Sequence, residues 1–151
     1  MTALIARTQS LQLTNQLAAG TDKLTAAARG FAATGDFHYR DEFIREIRDE
    51  RGRDHAVEDL QPLGLTPEEN ELITRAKRNS DTLIAQEEKA FDAAEIKKFT
   101  EAMTYVYSEK YLKAKALIID PIDEFRRRGD KRPADQGLSE ERMALRTGNP
   151  I

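Results

Sequence analysis

Polar residues recur at seven-residue spacing where a helical protein should present an apolar face. Thr8, Asn15, Asp22 and Arg29 follow one another at this interval, beside the apolar line Leu17, Leu24 and Phe31. Leu72, Asn79 and Gln86 repeat the theme next to Ala76, Leu83 and Ala90. Seven residues are close to two helical turns, so each set shares one side of a helix, and some members point inward or toward a partner. Tyr111 and Lys115, four apart, add an aromatic ring and a cation to one face. Inward polar groups require hydrogen-bond partners, and a small ligand can supply them. The chemistry such a set supports is anion binding. Arg29 and Lys115 would pair with a carboxylate, Asn79 and Gln86 would hydrogen-bond it, Tyr111 would cover it and add a hydroxyl, and Asp22 would stand nearby. Helical bundles also place Thr, Asn or Gln in a core to fix register and oligomeric state, and that structural role competes at each of these positions.

Other chemistries find little support. A carboxylate-bridged metal in a helical bundle needs a Glu-x-x-His pair on each of two helices. The two histidines, His38 and His55, have Gly35 and Gly52 three residues before them. The His-Glu-x-x-His zinc pattern is missing as well. Both histidines read as surface residues, and no metal or cofactor is expected; a haem held by one of them and Met103 is the weak form of a metal- or haem-binding alternative. No nucleophile elbow, glycine-rich phosphate loop or kinase motif occurs, so this chain is not expected to be an enzyme. The 24 basic and 27 acidic residues are interleaved to a net charge of −3, which disfavours nucleic acid. There is no cysteine, which excludes disulfides and thiolate chemistry. No apolar run approaches the roughly 20 residues a bilayer span needs, and no signal peptide is visible.

The elements that must position these residues are helices. The 151 residues, 39% hydrophobic and 34% charged, suit one domain with a real core. Periodicity predicts a first helix from about Ala3 to Thr34, with Leu4, Leu11, Leu17, Leu24, Ala28 and Phe31 inward and Gly20 as an internal weakness. Gly35 ends it, and Asp36 caps a second helix to about Leu60, whose face is interrupted by charge between Arg45 and Asp54. Thr66, Pro67 and Glu69 form a strong helix-start signal for a third helix to about Ala93. A soft break at Asp92 to Glu95 precedes a last helical region to Arg128, with Phe99, Met103, Val106, Tyr111, Ala114, Ile118, Ile122 and Phe125 as its stripe. Ser108 can cap a new start within it, and Pro121 should cost one backbone bond or kink the helix. The fold expected is all-α: an antiparallel up-down-up-down four-helix bundle over residues 1–128 with long first and last helices. Residues 129–151, rich in Gly, Pro and charge, read as a mobile tail or an expression remnant.

Several ordered segments resemble a known family. Asp22-Lys23-Leu24-Thr25, Ala28-Arg29, Thr34-Gly35-Asp36 and Tyr39 are similar to the first helical hairpin of bacterial extracytoplasmic sensor domains. Such domains occur in methyl-accepting chemotaxis receptors and sensor histidine kinases. The likeness continues through Arg53-Asp54-His55-Ala56-Val57, Leu63-Gly64-Leu65 and the run from Ala76 to Leu83. It then takes in Glu87, Ala90, Tyr111, the run from Lys115 to Ile122, and Phe125, covering about residues 15–126 in order.

The resemblance implies a periplasmic four-helix domain of an inner-membrane protein, flanked in the parent chain by two transmembrane helices and working as a homodimer. Ligand binding would displace a long helix and control a histidine kinase of a two-component system, attached or recruited. Neither end of this chain carries a membrane span, and the polar stretch after Gly129 departs from a helix running on to the membrane. An excised domain and a soluble relative both fit those departures. The competing expectation from a different class is a helical dimerisation or partner-binding scaffold without a sensory role.

Overall fold

The structure, a computed structural model, describes residues 3–146, with side chains described over 4–128. It is all-helical, with no strand among the described residues. The elements in order are α1 (Ala3–Thr34), α2 (Phe37–Ile44), a π-helical turn (Arg45–Glu50), α3 (Gly52–Leu60), a 3-10 turn (Gln61–Leu63), α4 (Pro67–Glu95), α5 (Phe99–Tyr107) and α6 (Glu109–Arg146). The expected tail at 129–151 lies outside the residues with described side chains.

Local signals explain most of these boundaries. Gly35, at φ 69°, takes the left-handed conformation that ends α1, and the Asp36 carboxylate accepts from His38 N–H to start α2. Thr66 and Glu69 make the reciprocal capping box that opens α4. Ser108 separates α5 from α6, its Oγ accepting from Tyr111 N–H at 3.1 Å. The break after α4 falls at Ile96 to Lys98, slightly later than the sequence suggests, with Lys97 at φ 63°.

Two expectations are corrected. The second helix is not continuous: the π-helical turn closes on Arg51, at φ 49°, and α3 begins afresh. No side chain at Arg51 caps α3; instead Glu46 Oε1 accepts from Arg53 N–H at 3.2 Å, so the carboxylate of the preceding turn lies against the positive end of α3. Gly20 is not a weak point of α1. A Cβ there would meet Arg53 Cγ at 2.5 Å and Glu46 Oε1 at 2.7 Å, so only glycine admits the buried Arg53 and Glu46 side chains at this crossing.

The core is built from Leu17, Leu24, Ala28 and Phe31 of α1 with Phe43, Leu60, Ile73, Leu83, Val106, Ile118, Ile122 and Phe125. Leu4 and Phe99, expected inward, are 65% and 37% exposed. Contacts between segments run in consistent order. Along α1, Asn15 meets Arg126, Asp22 meets Lys115 and Arg29 meets Val106, so the partner number falls as the α1 number rises. The same reversal relates α1 to the second helical region, through Gln16 with Gly52 and Gly30 with Tyr39. It also relates α4 to α6, through Asn79 with Leu117 and Glu87 with Tyr111. Between α1 and α4 the numbers rise together, from Thr21 with Ser80 to Phe31 with Phe91.

Candidate functional site

Pro121 lies inside α6 and has no N–H to offer the carbonyl of Leu117, one turn earlier. Asn79 Nδ2 donates to that carbonyl at 2.9 Å. This side chain restores the bond that proline removes, which is how α6 continues through Pro121. Asn79 and Leu117 sit at one end of a 280 Å³ groove between α4 and α6. Thr82, Leu83, Ala85, Gln86 and Ala114 continue its lining, Tyr111 closes the inner wall, and Lys89 and Lys110 stand at the far end. No acidic residue lines the groove, and neither lysine is ion-paired among the described residues. The volume falls just below the ~300–1,000 Å³ typical of ligand sites.

Behind the inner wall is a buried polar cluster. Tyr111, fully buried, donates from its hydroxyl to Glu87 Oε2 at 2.8 Å. Thr25 Oγ1 lies 2.9 Å from the Tyr111 oxygen, and its hydroxyl is a further hydrogen-bond partner of the Glu87 carboxyl. Three helices, α1, α4 and α6, therefore meet at one carboxyl group. Burial pushes Glu87 from 4.5 up to about 7, against the opposing effects of the Tyr111 bond, Lys115, Thr25 and Arg53. Burial, followed by the Glu87 charge, likewise holds the Tyr111 hydroxyl above the usual phenol range.

The six ligand candidates divide between this groove and the seams around it. Asn79, Gln86 and Tyr111 come together in the groove. Arg29 lies across the Tyr111 ring, its guanidinium 4.2 Å from the Tyr107 centroid and 5.5 Å from that of Tyr111. Its Nε donates at 3.0 Å to the carbonyl of Val106 at the C-terminal end of α5, where a cation is favourable. Lys115 pairs with the exposed Asp22 at 3.3 Å. Arg29, Asp22 and Lys115 are thus engaged within the protein and do not line the groove.

A second polar cluster lies where α1, α3 and α4 meet. Arg53 Nη1 donates to Ser80 Oγ at 3.1 Å and Asp81 Oδ1 at 2.8 Å, and Ser80 Oγ is 3.0 Å from Thr21 Oγ1. Arg53 Nε is 3.9 Å from Glu46 Oε1 and makes no hydrogen bond. Lys77 bridges Asp54 and Asp81, each at 2.8 Å. This network joins protein groups to one another across three helices.

The heptad reading passed over Glu87, Lys89 and Lys110. A signal for Glu87 was present: Ala76, Ser80, Leu83, Glu87 and Ala90 follow the four-three-four-three spacing of an inward helical stripe. The lysines carried none, because exposed lysines are everywhere on this chain. His38 and His55 are half exposed at the surface, each beside an acid, Asp36 or Glu58. Among the described residues no three His, Cys, Asp or Glu side chains converge as a metal site. No helix among them is long and apolar enough to cross a membrane. Comparisons with protein-family models, curated proteins and solved structures find no match.

Proposed function

We propose that this chain is the signal-sensing domain of a bacterial transmembrane receptor, folded as an antiparallel up-down-up-down four-helix bundle. The falling and rising contact orders around α1 and α4 support that arrangement. The parent would be a sensor histidine kinase or a chemoreceptor, with this domain in the periplasm and paired as a homodimer. Those assignments rest on the sequence resemblance. The observation that carries a sensory role is the groove between α4 and α6, where two lysines without ion-pair partners among the described residues stand beside polar and apolar walls free of acids. That chemistry suits a small anion with a short apolar body. Ligand seated there touches α4 and α6 together, so it stabilises one relative position of the two helices over another.

A thermal-shift series with small carboxylates, aromatic acids, neutral amides and amines tests the reading. Ligands that bind only the folded chain raise the melting temperature by mass action. The expected result is a saturable rise with anions that Lys89→Gln together with Lys110→Gln abolishes. A flat response across the series counts against a sensory groove.

A scaffold is the second reading, favoured by the exposed Tyr107, Leu112 and Leu117 along α5 and α6, each at least half exposed. Exposed apolar side chains of that kind can pack against another helix. It predicts a tight, ligand-independent oligomer in sedimentation equilibrium that Leu112→Lys dissociates.

A further inference from the structure

Resting on the reading of the α4–α6 groove as a ligand site, a second role falls to the buried carboxyl behind it. Tyr111 touches both the groove, which it lines, and Glu87, whose Oε2 accepts from its hydroxyl. Glu87 is 1% exposed, and its hydrogen-bond partners are hydroxyls, not cations. The charged groups facing it act from farther off: Lys115 on α6, Arg53 on α3, and Arg29 on α1 through the Tyr111 ring. Lys115 is held by Asp22 and Arg53 by Asp81 and Glu46, so the field of each at Glu87 is offset by a nearer acid.

We propose that an anion entering the groove is bound together with one proton, taken from solvent by the Glu87 carboxylate. The anion adds negative charge across the Tyr111 ring from a carboxylate enclosed in low-dielectric surroundings, and the resulting repulsion is relieved when Glu87 becomes neutral. Glu87 holds its proton with an affinity near neutrality, so a modest added charge changes its occupancy. Protonation also changes the hydrogen bonding. A carboxylate only accepts, whereas the acid has one O–H to donate and one oxygen left to accept, so protonation adds a donor beside the Tyr111 and Thr25 hydroxyls. Those hydroxyls belong to α6 and α1, so the proton reaches the contacts that hold three helices together.

The test is calorimetric titration of the full chain at pH 7.5 with benzoate, and with benzamide as its neutral analogue, in two buffers of different ionisation enthalpy. Benzoate should bind with a heat that depends on the buffer, showing proton uptake of up to about three quarters of a proton per ligand, the ionised fraction of Glu87 at that pH. Its affinity should rise by up to about tenfold per pH unit of acidification in the range where free Glu87 is ionised. Lys89→Gln and Lys110→Gln should weaken benzoate, and Glu87→Gln should bind it with a buffer-independent heat. In the unaltered chain, the Glu87 carboxyl carbon resonance should move toward its protonated position as benzoate is added, a readout independent of how any variant folds. Binding without proton uptake, or uptake that persists in Glu87→Gln, overturns the coupling. Binding of benzamide but not benzoate overturns it while leaving a ligand groove in place. Failure of both compounds removes the groove reading and the coupling together.

Discussion

Glu87 is 1% exposed, and burial raises the affinity of its carboxyl for a proton. Its folded carboxyl binds a proton more tightly than the unfolded one, about 7 against 4.5. The folded state therefore carries more protons than the unfolded state between those values. Stability from this group is fully present below about pH 4.5 and is lost as pH rises through 7. The gap corresponds to about 3 kcal/mol at most, a large share of a domain's net stability. Urea midpoints measured from pH 5 to pH 8.5 should fall across this window, and Glu87→Gln should flatten the slope. An unchanged slope in the variant would assign the titration to another group.

Elements are held by repairs that only the assembled structure makes. Pro121 opens a gap in α6, and Asn79 of α4 closes it at Leu117. Asn79→Ala should destabilise the chain by about 0.5–1.5 kcal/mol, the net contribution of one hydrogen bond at a solvent-exposed carbonyl. In a Pro121→Ala background, the alanine N–H can reach the Leu117 carbonyl, so the same Asn79→Ala change should cost much less. A double-mutant cycle by chemical denaturation checks this, and additive effects would refute the pairing of Asn79 with the proline gap. The π-helical turn is a repair of the same kind. It ends at Arg51 so that Glu46 can cap α3 and lie beside Arg53 under Gly20. The charged stretch from Arg45 to Asp54 marked the interruption. Nothing in its local pattern could say that two of those charges turn inward, because that depends on the glycine of another helix.

On the scale of the molecule, the heptad stripe Asn15, Asp22 and Arg29 acts as a seam that sets α1 against α6 and α5 in reverse order. The cysteine-free chain makes this directly testable with paired nitroxide labels. Labels at Asn15→Cys and Arg126→Cys should couple strongly. Labels at Asn15→Cys and the exposed Tyr107→Cys should be farther apart by roughly 20 Å or more, at 1.5 Å per residue along the last helical region. Stronger coupling in the second pair would mean that the helices run in a different order.

Periodicity and capping chemistry were enough to assign the all-helical class, the α1 core line from Leu17 to Phe31, the Thr66 capping box and the division at Ser108. Each depends on residues within a few turns of one another, where backbone geometry leaves few choices. The heptad stripe was legible as polar residues on one side of a helix, but not as a seam, because spacing carries no information about what stands opposite. Tertiary structure alone decided that Arg29 meets the end of α5, that Asn79 meets Leu117, and that Lys89 and Lys110 share a groove. The stripe Ala76, Ser80, Leu83, Glu87 and Ala90 marks Glu87 rather than Glu88 as inward, but only the assembled fold sets the Tyr111 hydroxyl against it. These outcomes depend on contacts between residues far apart in the chain, where burial and the nearest partner determine whether a polar side chain is structural, ionised or free to bind.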